Sequence, residues 1–153
     1  MTQTKHPKAF GFQPGFTFSV TAAGVAGSVV IEPAARTSAN VVYVAWMEPA
    51  SCALKVGITG GTLWGRWAGI VRVYNAVRGV VRLKSNEWED QRRFHFHSSG
   101  QQVTVWFKNA EKAAIGYASA EGFPEVSLAE AEERFLDWYY APRFGQPLGP
   151  RRL

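Results

Sequence analysis

The stretch VVYVAWMEPASCALKVGITGGTLWGRW, from Val41 to Trp67, decides the fold. It opens with an uninterrupted run of apolar and β-branched residues, which is typical of a central strand buried on both faces. The turn residues MEPAS follow, and a second short apolar run, ALKVGIT, ends at two glycines. The pattern predicts a β-hairpin with a lysine inside its second strand.

A helix is predicted directly after this hairpin. Thr62 stands at its start, and threonine is a common N-cap residue. Arg66 lies in the first turn, at the margin of the apolar face. The apolar residues recur at steps of four and three, which is typical of one face of an amphipathic helix. They are Leu63, Trp67, Ile70, Tyr74 and Val77.

Strands and a helix are also predicted on either side of this core. Two runs within residues 1–38, FTFSV and SVVIE, are typical of strands and suggest an N-terminal arm or hairpin. The run QVTVWF predicts a further strand over Gln102–Phe107. A capping box at Ser127 and Glu130 opens a predicted helix, LAEAEERFLDWYY, which Pro142 ends.

The predicted order after the arm is strand, strand, helix, strand and helix. This order indicates an α+β fold, with a small mixed or antiparallel sheet of about three central strands flanked by helices. We divide the chain into an arm or hairpin at 1–38, separate from the rest or part of the same fold, a domain at 39–145 and a basic tail at 146–153. Residues 80–101 mix charges and aromatics without a clear period.

Composition and charge limit the functional classes. A chain of 153 residues that is 46% hydrophobic and 19% charged can form one ordinary core. Its net charge of +5 favours a polyanionic partner, although many basic proteins bind none. Cys52 is the only cysteine, so an intramolecular disulfide is excluded. Since no apolar run approaches ~18 residues and the first residues lack signal-peptide order, we expect a cytoplasmic protein without a membrane partner.

The decisive stretch resembles the core of the GIY-YIG nuclease superfamily. VVY at 41–43, KVG at 55–57 and Arg66 on a helix follow the order of that superfamily's motifs. Lys55 stands in place of the second motif tyrosine, as in a KVG- or KIG-type branch, and Val41 replaces the first glycine. The resemblance implies cleavage of DNA and one Mg²⁺ or Mn²⁺ ion held by a glutamate of a later helix.

Chemistry suggests roles for these residues. Phosphodiester hydrolysis needs a base, positive charge on the phosphate and often a metal ion. We predict Tyr43 as the base, Lys55 and Arg66 as the cations that depress its pKa from about 10, and Arg66 as the phosphate ligand. Strand alternation puts Lys55 and Gly57 on one face, which Tyr43 has to share, and Gly57 leaves room for a phosphate or another backbone. Ordinary alternatives are a core tyrosine, a snorkelling lysine and a solvated arginine.

The carboxylate is expected on the last helix. At ~100° per residue Glu132 lies within the predicted apolar face, while Glu133 points toward solvent. A carboxylate on an apolar face is costly unless it is bound, so we predict Glu132 as the catalytic metal ligand. Glu133 is held in reserve because its spacing to Pro142 looks more like that of the family. The alternative is a glutamate paired with a core-edge arginine. The predicted apolar face consists of Leu128, Ala131, Phe135, Trp138 and Tyr139.

A basic segment interleaved with Trp88, Phe94 and Phe96 follows Arg66. Such mixing suits contact with a nucleic-acid backbone together with base stacking, and a solvated face is the alternative. On a strand, the two histidines of FHFH would face one side and contact phosphate or metal, although no third metal ligand is in view. The predicted nucleic-acid contacts are Gly57, Arg72, Arg78, Arg82, Lys84, Arg92, Arg93, His95 and His97.

The residues and the resemblance together predict a metal-dependent endonuclease that hydrolyses DNA in one step, without a covalent intermediate. Single- and double-stranded substrates and a homodimer or larger complex all stay open. A second hypothesis is a nucleic-acid-binding module without cleavage activity, which the residues at Val41 and Lys55 support. A third is an accessory protein whose basic surface contacts an acidic protein.

Overall fold

The computed structural model describes residues 4–21, 24–75, 85–110 and 128–145. Five strands and four α-helices lie within these residues, together with 3₁₀ turns at Pro7–Phe10 and Arg143–Gly145. In chain order the elements are β1 (Gln13–Thr21), β2 (Gly24–Ile31), α1 (Pro33–Thr37), β3 (Ala39–Glu48), β4 (Cys52–Thr62), α2 (Leu63–Asn75), α3 (Ser85–Ser98), β5 (Gln102–Asn109) and α4 (Leu128–Tyr140).

The strands form one antiparallel sheet in the order β2-β1-β5-β3-β4. The predicted α+β class is therefore confirmed. The predicted central strands are β3, β4 and β5, and the N-terminal hairpin adds two more because β1 pairs along β5. The hairpin thus extends the same sheet that carries the KVG stretch.

Strand β3 is buried on both faces, as its apolar run predicts. Every residue from Val41 to Met47 is buried. Alternate residues point to opposite sides of a strand, and we name the two sides by their clusters. On the first face, Tyr43 packs with Leu63, Trp67 and other residues of the larger core. On the second face, Val42, Val44 and Trp46 pack with Leu136 and Tyr140 of α4.

Helix α2 begins where the glycines and Thr62 predict. The Thr62 hydroxyl accepts a hydrogen bond from the Gly65 amide at 3.1 Å, which confirms the N-cap. Leu63 and Trp67 are fully buried on the first face. Arg66, between them in sequence, is exposed. The predicted helix and its apolar face therefore position Arg66 at the rim of the first face.

The FHFH stretch is helical, so the interpretation of its histidines as strand neighbours is wrong. At ~100° per residue two positions apart on α3 means about 200°, so His95 and His97 do not share a side. Phe94 and His97 are buried, and Phe96 is 53% exposed. The buried side of α3 is narrow, and most of the surrounding residues are charged or polar. The helical period of its apolar residues is therefore too weak to detect in the sequence.

The predicted apolar face of α4 is also wrong. Its buried residues are Ala129, Leu136 and Tyr140. Trp138, which we placed on the apolar face, is 77% exposed, and Phe135 is 47% exposed. Phe135 packs edge-on against Phe10 of the N-terminal segment, with ring centroids 6.4 Å apart, rather than on the sheet. Sequence periodicity could not reveal this contact because Phe10 is distant in the chain.

The capping-box residue Ser127 and the tail at 146–153 lie outside the described residues. Within residues 4–21, 24–75, 85–110 and 128–145, no helix combines the length and apolarity needed to cross a membrane.

Candidate active site

Tyr43 occupies the middle of β3, directly opposite Gly57 of β4. Its side chain is 1% exposed, and its ring meets Trp67 edge-on at 5.8 Å between centroids. A Cβ on Gly57 would lie 2.6 Å from Cζ of Tyr43, so only glycine leaves space for the ring. The space above Gly57 is therefore filled by Tyr43, and not open to a phosphate or a second backbone as we expected.

Lys55 shares the face of Tyr43, as strand alternation requires. Gly57 pairs with Tyr43, and Lys55 pairs with Ala45, two positions along β3. Directly paired residues of antiparallel strands have their side chains on the same face. The register of the hairpin thus brings the tyrosine of VVY and the lysine of KVG to the first face.

Burial dominates the ionisation of Tyr43. Desolvation raises the pKa of its phenol above the ordinary value, and the charge of Glu133 raises it further. The Arg66 guanidinium acts in the opposite direction, because its hydrogen bond and its charge both lower the pKa of Tyr43. The expectation that neighbouring cations depress this pKa overall is wrong, since a buried phenol loses more hydration than Arg66 replaces.

Two aromatic rings hold the ammonium of Lys55. Its Nζ lies 5.1 Å from the ring centroid of Phe144 and 5.8 Å from that of Phe94. These rings stack on each other at 4.3 Å, and such faces attract a cation. Sequence reasoning missed Phe144 as a positioning residue, because the only signal was its place directly after Pro142 and Arg143.

The two candidate glutamates lie on different sides of α4. Glu133 is half-buried, and desolvation raises the pKa of its carboxyl, while the charges of Arg134 and then Lys55 act in the opposite direction. It also acts on the pKa of Tyr43, so its carboxylate belongs electrostatically with the tyrosine and the lysine. Glu132 instead forms an ion pair with Lys108 of β5. This resembles the paired-glutamate alternative, with a lysine in place of the arginine.

A cleft of about 530 Å³ adjoins Glu133. Desolvation raises the pKa of Glu133, and the neighbouring carboxylates of Asp137 and Glu130 raise it further. A hard cation would relieve this repulsion, and carboxylate oxygens are the ligands that Mg²⁺ prefers. No group of three or more potential ligands occurs within the described parts of the chain. Glu133 alone could offer such an ion one carboxylate ligand. The cleft is lined by Glu130, Glu133, Arg134, Asp137 and Trp138.

The predicted nucleic-acid contacts divide into two groups. On α3, Arg92 is exposed and Arg93 and His95 are half-buried, whereas His97 is buried. Burial removes His97 from direct contact with a phosphate, and the Tyr43 ring does the same for Gly57. Arg72 lies on α2, and nothing is described of its side chain. The remaining predicted contacts, Arg78, Arg82 and Lys84, lie outside the described residues.

Comparison with known proteins adds one structural relative. No protein-family model matches the chain, and no curated protein matches its sequence. Among solved structures, a mutant of EndoII from bacteriophage T4 is similar, with a TM-score of 0.51 and 11% sequence identity over 91% of this chain and 95% of that chain. At this identity the likeness concerns the fold alone. The chain shares the α+β fold of that structure.

Proposed function

We propose that this chain is a divalent-metal-dependent endonuclease that hydrolyses DNA in one step. One observation carries the proposal: four side chains from four different elements lie within electrostatic reach of one another. Arg66 is the hydrogen-bond partner of Tyr43, and the charge of Glu133 acts on the same phenol. The charge of Lys55 in turn acts on Glu133. The likeness of the fold to that of EndoII supports the proposal. The site is the one that the sequence suggests, with Glu133 in the role first given to Glu132.

Tyr43 is the proposed proton acceptor. In the reacting state, the oxygen of a water molecule bonds to phosphorus while its proton passes to the phenolate of Tyr43, and the bond to the leaving oxygen breaks. Because burial raises the pKa of Tyr43, the phenolate is scarce at neutral pH. Arg66 opposes this shift and is placed to bind a phosphate oxygen with its planar fork.

Glu133 is the proposed ligand of one Mg²⁺ or Mn²⁺ ion. Such an ion supplies positive charge where negative charge develops on the phosphate and the leaving oxygen. Lys55, fixed over Phe144, contributes a second positive charge on the first face. Arg92 and Arg93 extend this charge along α3 toward a DNA backbone. We also retain the cytoplasmic location for the proposed enzyme.

One observation favours a DNA-binding module without cleavage activity. Tyr43 is only 1% exposed, and a base has to come within hydrogen-bond reach of its water. If the side chains above Tyr43 stay closed over it, the basic surface binds DNA and the site performs no chemistry. The two candidates differ in metal dependence, because phosphate contacts by arginine need no divalent ion.

The deciding experiment is incubation of the purified protein with single- and double-stranded DNA in Mg²⁺, Mn²⁺ or chelator. Glu133→Gln should abolish cleavage, while salt-sensitive DNA binding persists. Glu132→Gln is the matched neighbour and should cut, although more slowly. Cleavage by Glu133→Gln at the normal rate would show that the site is wrongly assigned. Metal-independent binding without any cutting would support the binding module.

A further inference from the structure

Lys108 joins three separate parts of the molecule. Its ammonium contacts the carboxylate of Glu132 on α4. It also donates a hydrogen bond to the Phe10 carbonyl at 3.3 Å and lies 4.9 Å from the centroid of the Phe12 ring. The two charged side chains are 31% and 24% exposed. Strand β5, α4 and the N-terminal segment are thus held together at one cation.

The position of this cation is fixed relative to Tyr43. Lys108 pairs with Val42, the neighbour of Tyr43 on β3. Lys108 and Val42 lie on the second face, and Tyr43 on the first. A side chain that contacts Lys108 is therefore positioned relative to strands β3 and β5, and β3 also positions the phenol of Tyr43.

Glu132 transmits this position to Glu133 through the helix. Adjacent residues of an α-helix are separated by ~100°, so a roll of α4 about its axis moves both carboxylates together. The apolar contacts of Leu136 and Tyr140 hold the helix on the sheet, but apolar packing is non-directional and resists such a roll weakly. Hydrogen bonds to Lys5 occur at the C-terminal end of α4, about two turns from Glu132. An ion pair with a hydrogen-bonded lysine has a defined geometry.

We propose that the Lys108–Glu132 ion pair sets the rotation of α4 and thereby positions Glu133 against Tyr43 and Lys55. Both are positioning residues, and the inference rests on the proposed function only for the role of Glu133. A partly exposed pair of this kind adds little to global stability. Its effect is expected at the site, where Glu133 lies ~100° around the helix from the paired Glu132.

The test measures Mn²⁺ affinity of the DNA-free protein by electron paramagnetic resonance. Lys108→Met removes a positive charge, so charge alone predicts tighter Mn²⁺ binding. Loss of positioning predicts the opposite, and we expect binding about tenfold weaker, as for other residues that orient a metal ligand. Lys108→Arg should retain most of the affinity. Unchanged or tighter binding by Lys108→Met would overturn the inference.

A destabilised control separates positioning from general loss of structure. Val103→Ala creates a cavity on the first face, at the other end of β5, without touching α4. It should lower stability and leave Mn²⁺ affinity unchanged. In cleavage assays, Lys108→Met should lower kcat and leave KM for DNA unchanged.

Hydrogen exchange keeps the inference testable if the proposed function fails. If the wild-type protein neither binds Mn²⁺ nor cuts DNA, the proposed function is wrong, whatever holds α4. The backbone amides of α4 should still exchange faster in Lys108→Met than in Val103→Ala. The two variants are compared under conditions that give them the same free energy of unfolding. Equal α4 protection in the two variants would show that the ion pair does not set the position of the helix.

Discussion

The two faces of the central sheet each bury a tyrosine, and the hydrogen bonds of these tyrosines differ in kind. On the second face, the Tyr140 hydroxyl donates to the Lys5 carbonyl at 2.8 Å. Burial raises the pKa of this phenol, and the charge of Tyr139 raises it further. A donated hydrogen bond also favours the neutral form. On the first face, Arg66 is the hydrogen-bond partner of Tyr43 and acts to lower its pKa. Burial favours the neutral phenol in both places, but only Tyr43 has a neighbouring guanidinium that opposes this shift.

The carboxylates of the two faces differ in the same way. On the second face, Glu132 is neutralised by Lys108, and Glu48 accepts hydrogen bonds from Trp46 and Ser51, each at 2.8 Å. Glu133, the neighbour of Glu132 on α4, is instead desolvated beside two further acidic residues of the same helix. A stable fold gains nothing from such an arrangement, and unfavourable ionisation of this kind clusters at functional sites.

The largest expected effect, on kcat/KM for DNA, comes from replacing the two tyrosines one at a time. These variants test whether the two faces differ in function. Tyr43→Phe should reduce kcat/KM for DNA by roughly 10²- to 10⁴-fold, the usual contribution of a general base. Tyr140→Phe is the matched control, because it removes only the hydrogen bond to Lys5 and should leave the cleavage rate close to that of the wild type. Single-turnover cleavage assays with equal DNA binding measure both.

The pH dependence of kcat/KM in the wild-type enzyme tests the same role of Tyr43. The pKa of Tyr43 is raised, so the phenolate fraction increases about tenfold per pH unit below that pKa, and kcat/KM should rise from pH 6 to 9 with a slope near one. Tyr43→Phe should lose this slope. A flat wild-type profile would mean that Tyr43 orients water as a neutral phenol and takes no proton.

Sequence patterns were sufficient for the first face because its residues are close in the chain. Tyr43, Lys55, Gly57 and Arg66 lie on one hairpin and the helix after it, so local turn signals and strand alternation fixed their register. Glu133 could not be chosen this way. The proposal of Glu133 over Glu132 rests on the contacts of Lys108 with Glu132 and of Phe10 with Phe135, which join distant segments and leave no period in the sequence.

The second-largest effect, on the free energy of unfolding, is expected at Gly57 of β4, which contacts Tyr43 of β3. Gly57→Ala would place a methyl group 2.6 Å from Cζ of Tyr43, so the ring has to move and stability should fall by about 1–3 kcal/mol. Gly69→Ala, in α2 with nothing within 4 Å of a new Cβ, should instead stabilise the protein by about 0.5–1 kcal/mol. Urea denaturation gives both values, and similar destabilisation in the two variants would contradict the crowding at Gly57.

A smaller effect is expected from the rings that hold Lys55. Phe144→Leu keeps apolar bulk but removes the π face 5.1 Å from Nζ, so cleavage should slow by several-fold, which corresponds to about 1 kcal/mol. Phe135→Leu is the control, since its ring contacts other aromatic side chains on α4 and Phe10 of the N-terminal segment. Equal rates for the two variants would show that the aromatic face does not help to place the lysine.

The smallest expected effect is on thermal stability. The change in Tm should have opposite signs for replacement of Glu132 and of Glu133. The folded-state pKa of Glu133 is raised above its unfolded value, so its stabilising contribution is complete below the unfolded pKa and is lost as pH rises through the folded one. At pH 7, Glu133→Gln should therefore raise Tm by a few degrees at most, and this gain should vanish near pH 4. Glu132→Gln should lower Tm at pH 7, because it leaves the half-buried ammonium of Lys108 without its ion pair. Thermal denaturation at both pH values measures these changes. A lower Tm for Glu133→Gln at pH 7 would mean that this carboxylate is stabilised in the fold, and that the two faces do not differ as their ionisation indicates.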